Sequence, residues 1–291
     1  MSDDESKKVL ALLNIDVGKL TPALTKFVEV AGQGLGTLYE PLRLILMAKA
    51  EGKAAQIRAR DEFTLNQIEG RALARQEQDA IRRQKNVESI LAQTAEALPE
   101  TVSEEPVDDD WLNRFYRYCE DVSSEQVQEL WARILAGEIR QPGSYSMRAL
   151  ETLRVLSATD AGMFATFVSF SFHVGTEEWL CLPSTGRNVD GEYLLPQLSD
   201  PLLNHLQSLG LIHAVNGITL CPRKNDPLRM RYGRSVITVR PSGSRQPRIR
   251  MTQASVVGRE LASLCVQTVD SEYFEHVVAS LKSRGCEVTM G

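Results

Sequence analysis

The chain has 291 residues, 43% of them hydrophobic, a formal net charge of −5 and five cysteines. That is enough apolar material for two domains with real cores. No apolar run reaches the ~18 residues of a membrane-spanning helix. The start, MSDDESKK, lacks the cationic and apolar stretches of a secretory signal, so the chain reads as cytoplasmic. The cysteines are widely spread with no C-x-x-C pair, which points to incidental or buried thiols and away from zinc or disulfide chemistry.

In chain order, Thr21-Pro22 opens a first helix, since threonine caps free amides and proline suits the first helical position. Leu24, Phe27, Val28, Ala31, Leu35 and Leu38 form its apolar stripe. Gly32-x-x-x-Gly36 fits close helix packing; a membrane-surface helix over 21–40 is the alternative, opposed by Lys26 and Glu29. A proline-free, Ala/Arg/Gln/Glu-rich stretch then runs from Pro41 to about Leu98. Its apolar ends, Ile57, Leu65 and Ile68 on one side and Val87, Ile90 and Leu91 on the other, flank a charged middle. A hairpin, a stalk and a coiled-coil arm all fit that pattern. Surplus stripe with no globular neighbour makes Phe27, Val28, Leu35, Ile57, Leu65 and Ile68 the candidate self-association residues of a homo-oligomer.

PETVSEEPVDDD, 99–110, carries six acids, two prolines and no base, and is the expected hinge. The expected division is therefore 1–98 helical, 99–110 acidic linker, and 111–291 helical core plus C-terminal region. Trp111, Phe115, Tyr118, Cys119 and Val122 form a second stripe, and Ser123 with Gln126 reads as a capping box. Val127, Leu130, Trp131, Ile134 and Leu135 follow as an apolar face with Trp131 as its anchor. Ser157 with Asp160 caps a further helix carrying Phe164, Phe167 and Val168.

Beyond Asp200-Pro201 the pattern mixes helix and strand. Asn216-Gly217 is a two-residue hairpin signal between 211–215 and 218–220. A second alternating run, 235–240, is joined by PSGSRQP to 248–252. Two amphipathic helices and a strand at 286–290 close the chain. The fold class is mostly α with a smaller α+β part: long N-terminal helices, a central helical domain and a C-terminal winged-helix-like region.

The segment from Arg223 to Arg250 holds nine cations, Arg223, Lys224, Arg229, Arg231, Arg234, Arg240, Arg245, Arg248 and Arg250, against one acid, Asp226. It carries +8 while the remainder carries −13. Such density calls for full solvation, docking on the chain's own acidic linker, or an anionic partner, the last being a nucleic-acid backbone. The adjacent helix SDPLLNHLQSLG has no Lys or Arg, which argues against base-specific readout. No catalytic residue, metal site or cofactor is assigned: His173, His205, His213 and His276 lack ligand spacing, and no nucleophile elbow, phosphate loop or kinase pattern occurs.

LTKFVEVAGQGLGTLYEPLRL, AKAEGKAAQIRA, RRQKNVESIL, PVDDDWLNRFY and ELWARILAGEIRQPGSYSMRALETLRVLS together resemble the bacterial domain of unknown function 2806 family. The stretch from ELWARILAGE to LRVLSATDA is more loosely similar to Abi-alpha abortive-infection proteins. The resemblance implies a prophage or phage-defence setting with phage or defence-system partners, and no catalytic residues. The expected function is a non-enzymatic interaction protein, a sensor or effector that self-associates through its N-terminal helices; the alternative is a nucleic-acid-binding regulator using 223–250.

Overall fold

The computed structural model describes residues 21–33, 63–175, 178–181, 198–244 and 246–291, with backbone alone at 63–67 and 178–181. Mostly helical, with a smaller antiparallel sheet part, the chain divides into two compact units, Met1–Leu150 and Glu151–Gly291. The division falls some forty residues beyond the acidic stretch expected as the hinge. Among the described residues no helix is long and apolar enough to cross a membrane.

In the first unit, α1 (22–33) and α2 (Phe63–Ala97) precede α3 (Asp109–Cys119), α4 (Glu125–Arg140) and the start of α5 (Met147–Val155). α2 has 35 residues, about 52 Å at ~1.5 Å per residue. Its C-terminal half packs on α4, with Ser89 Oγ donating to Gln128 Oε1 at 2.8 Å, and Val87, Ile90 and Leu91 on one helix and Trp131, Ile134 and Leu135 on the other are all buried. Phe115 lies against Trp131 edge-to-face, ring centroids 5.4 Å apart. The expected Ser123 capping box does not form: Ser124 takes the N-cap position, and Ser123 Oγ accepts from Asn86 Nδ2 instead. Packing α2 beside this turn gives the hydroxyl a side-chain donor that the isolated sequence does not reveal.

Residues 99–110 are held to this unit. Ser103 N donates to Arg140 O at 2.8 Å, and Asp108 caps α3 through Trp111 N at 2.8 Å. Lys26 Nζ donates to the carbonyls of Ser103 (2.9 Å), Glu105 and Ile139 (3.1 Å). Val107 is buried. The stretch orders without a large apolar area because an ammonium and a helix terminus satisfy its backbone. Glu138, 2% exposed, does the same for the turn after α4, accepting from Gly143 N at 2.6 Å and Tyr145 N at 3.0 Å.

The second unit holds the end of α5, then α6 (Ala158–Ser169), β1 (Ser171–Val174), β2 (Glu178–Cys181), α7 (Asp200–Ser208), β3 (Ile218–Leu220), β4 (Leu228–Tyr232), β5 (Ser235–Pro241), β6 (Ile249–Gln253), α8 (Val256–Ala262), α9 (Ser271–Ser283) and β7 (Cys286–Met290). The Ser157–Asp160 capping box forms as expected. The strands make one antiparallel sheet in the order β3-β6-β2-β1-β4-β5-β7. Phe172, Tyr232 and Tyr273 are fully buried together, with Phe172 and Tyr232 stacked at 4.9 Å.

Two expected strand connections differ. Asn216-Gly217 does not join two paired strands, because Ile212 pairs with Ala254 and Ile218 with Met251, both on the same β6 side. The dipeptide forms a local turn, Gly217 N to Ala214 O at 2.8 Å, that bulges out of a single path along β6. β5 and β6 are not neighbours either; β5 lies between β4 and β7. The tight hairpin is β4–β5, closed at Gly233-Arg234 with Gly233 at φ 57°, a conformation glycine takes without a Cβ penalty.

Replacing Lys26 with Met should release the acidic strap. A Glu-specific protease will then cut at Glu104 and Glu105 faster than in the wild type, read by gel and mass spectrometry; equal rates would show that Lys26 does not hold it.

Candidate functional site

β4 sets the site. Met230 and Tyr232 are fully buried, and because side chains alternate along a strand, Arg229 and Arg231 emerge on the opposite face, both exposed. They lie about 7 Å apart along the strand. Residues directly opposite share a face, so Thr238 accompanies Arg229, and Val236 and His173 flank Arg231. Arg229, Arg231 and Arg250 make no ion pair with a carboxylate among the described residues. Burial, and then the charge of Arg231, pull the His173 pKa below its ordinary value, which favours the neutral ring.

The nine sequence-clustered cations are distributed by the strand order. Arg229, Arg231 and Arg240 share the β4–β5 face; Arg240 is half-buried opposite Glu287, and Arg234 is exposed in the turn. Arg250 is exposed opposite Thr219, with Arg248 exposed just before β6. Arg223 and Lys224 are exposed between β3 and β4, beside a bond from Gln246 Nε2 to Cys221 O at 3.1 Å. Arg245 lies outside the described residues. The expected single basic hairpin is thus corrected to separate groups, because its two halves pair with different strands.

The self-association set is also redistributed. Phe27 and Val28 are 0% and 4% exposed, spent in the core of the first unit, which corrects their assignment to an outer surface. Ile68 is 57% exposed, and Ile81, which sequence reading passed over within the charged stretch, is 41% exposed. Leu35, Ile57 and the Leu65 side chain lie outside the described residues.

His205 Nε2 sits 2.6 Å from Asp160 Oδ1 and ties α7 to the capping box of α6. Among the described residues no three His, Cys, Asp or Glu side chains gather as a metal site.

The model of a family described as "Protein of unknown function (DUF2806)" matches residues 70–278. No curated protein and no solved structure matches the chain.

Bonds from His205 and Ser157 hold the Asp160 carboxyl down to about 2, from an ordinary 3.8. A depressed folded-state pKa adds stability above the unfolded value and loses it as pH falls through the folded one. Asp160→Asn should therefore lower the melting temperature at neutral pH, and the gap to wild type should shrink between about pH 4 and pH 2. A gap that stays constant over that range would show that the carboxylate charge is not responsible.

Proposed function

The chain belongs to the DUF2806 family, whose description names no activity, and we propose that it is a non-enzymatic interaction protein that holds a nucleic-acid backbone on the arginine-bearing face of its C-terminal sheet. The observation that carries this reading is the pair Arg229 and Arg231, exposed side by side while their strand neighbours are fully buried. Guanidinium groups are matched to phosphate oxygens, and both arginines are exposed with no carboxylate partner among the described residues. Phosphate contacts give affinity without sequence information, which agrees with an α7 that has no Lys or Arg. We place its cellular role as a cytoplasmic sensor or effector in phage defence or prophage biology, a reading that rests on the loose resemblance to Abi-alpha proteins read from the sequence of residues 129–161 alone.

Self-association along α2 is the second reading, favoured by the exposure of Ile68 and Ile81 on a helix whose polar half has few buried contacts. Light scattering on the full chain should give a mass above that of a monomer, reduced by Ile68→Asp with Ile81→Asp. A monomeric wild type at micromolar concentration would remove this reading.

For nucleic acid, anisotropy titrations at several salt concentrations should show log affinity falling linearly with log salt. Arg229→Ala with Arg231→Ala should weaken binding similarly across sequences and flatten the slope by about 1 per arginine. Loss confined to one sequence would mean base readout, and absence of binding at low salt would end the proposal.

A further inference from the structure

The strand that bears the arginines also limits which parts of a nucleic acid they can reach. β4 is an interior strand: β1 and β5 pair on either side of it, with β2 beyond β1 and β7 beyond β5. Five strands at ~4.8 Å spacing are about 19 Å across. A major groove is about 12 Å wide and admits a helix or a two-stranded ribbon. The arginine face is therefore too broad to descend into a duplex groove, and Arg229 and Arg231 have no protruding ribbon to carry them in.

A duplex can therefore offer this face only the phosphates along its outside, whereas a single strand can lie across the face and bring its bases into contact as well. Two guanidinium groups about 7 Å apart on one strand can grip a short run of backbone. The positions beside them, His173, Val236 and Thr238, carry no formal charge when the imidazole is neutral and offer ring and aliphatic surface on which bases can rest. Glu287 on β7 stands opposite Arg240 and Glu178 on β2 opposite Val174, each two strands away from β4.

We propose that the face formed by His173, Arg229, Arg231, Val236 and Thr238 takes single-stranded nucleic acid in preference to duplex. This rests on the backbone-binding reading above and specifies its substrate.

The test uses the full-length protein with a labelled oligo-dT, a hairpin duplex with the same number of phosphates, and polyglutamate as a non-nucleic polyanion. Oligo-dT should bind about tenfold or more tightly than the duplex, with stacking adding to the phosphate contacts. Arg229→Ala with Arg231→Ala, at unchanged melting temperature, should flatten the oligo-dT salt slope by about 1.4, two phosphates at ~0.7 each. If alanine lowers the melting temperature, Arg229→Gln with Arg231→Gln replaces it. His173→Ala should weaken oligo-dT several-fold and leave the slope unchanged, because it removes a ring and no charge. Duplex binding as tight as oligo-dT overturns the single-strand assignment and leaves the backbone reading standing. Arginine variants that bind like wild type overturn the placement on this face. Polyglutamate binding as tight as oligo-dT, or no binding of any probe, overturns both.

Discussion

The placement of Tyr232 governs the C-terminal unit. Its ring is fully buried against Phe172 and Phe274, with Tyr273 at its edge, and its hydroxyl donates to Ser169 O at 2.8 Å while accepting from Asp270 N at 3.0 Å. With both hydrogen-bonding roles of the phenol filled, the residue has one satisfactory position. A strand has a period of two, so fixing Tyr232 inward fixes Met230 inward and Arg229 and Arg231 outward. A slip of one residue would bury two guanidinium groups and expose the tyrosine, and burying unpaired charge is far costlier than any ladder bond regained. The arginine face is thus a consequence of how the aromatic core is anchored.

Gly233 completes that constraint. The two-residue turn between β4 and β5 needs a left-handed backbone, and once it forms, Tyr232 pairs with Ser235 and every later pair follows, down to Leu228 with Val239. β5 in turn pairs with β7, so the C-terminal strand reinforces the register set at the turn. β1 does the same from the other side through the pairing of His173 with Arg231.

The N-terminal unit solves a different problem, ordering polar chain against an aromatic core. Lys26 is pulled below its ordinary pKa by partial burial, and Glu105 and Glu138 offset that effect. Its ammonium gathers three carbonyls, two from the acidic strap and one from the end of α4. Glu138 does the complementary work for amides, and Trp111 Nε1 donates to Tyr145 O at 2.7 Å across the same region. One cation and one anion, each matched to backbone groups of opposite polarity, order segments that have little apolar surface of their own.

The sequence by itself determined most of the elements. The stripes through Trp111, Trp131 and Val277 became buried helix faces, Ser157 with Asp160 became a capping box, and 286–290 became a strand, because helix and strand periodicity and caps are local properties of the chain. The density of charge between 223 and 250 was equally legible, as was the family. Tertiary structure alone decided which elements pair and which side chains face out. Asn216-Gly217 carries a hairpin signature, yet its flanks both follow β6, and a turn cannot encode a partner strand. The acidic stretch looked like a hinge because composition counts apolar area and does not see the Lys26 ammonium arriving from 77 residues away. Phe27 belonged to an amphipathic stripe in either reading, and only the packing of the first unit made it core. Arg229 and Arg231 were two among nine until the burial of Met230 and Tyr232 turned them outward together, since burial and register depend on contacts between residues far apart in sequence.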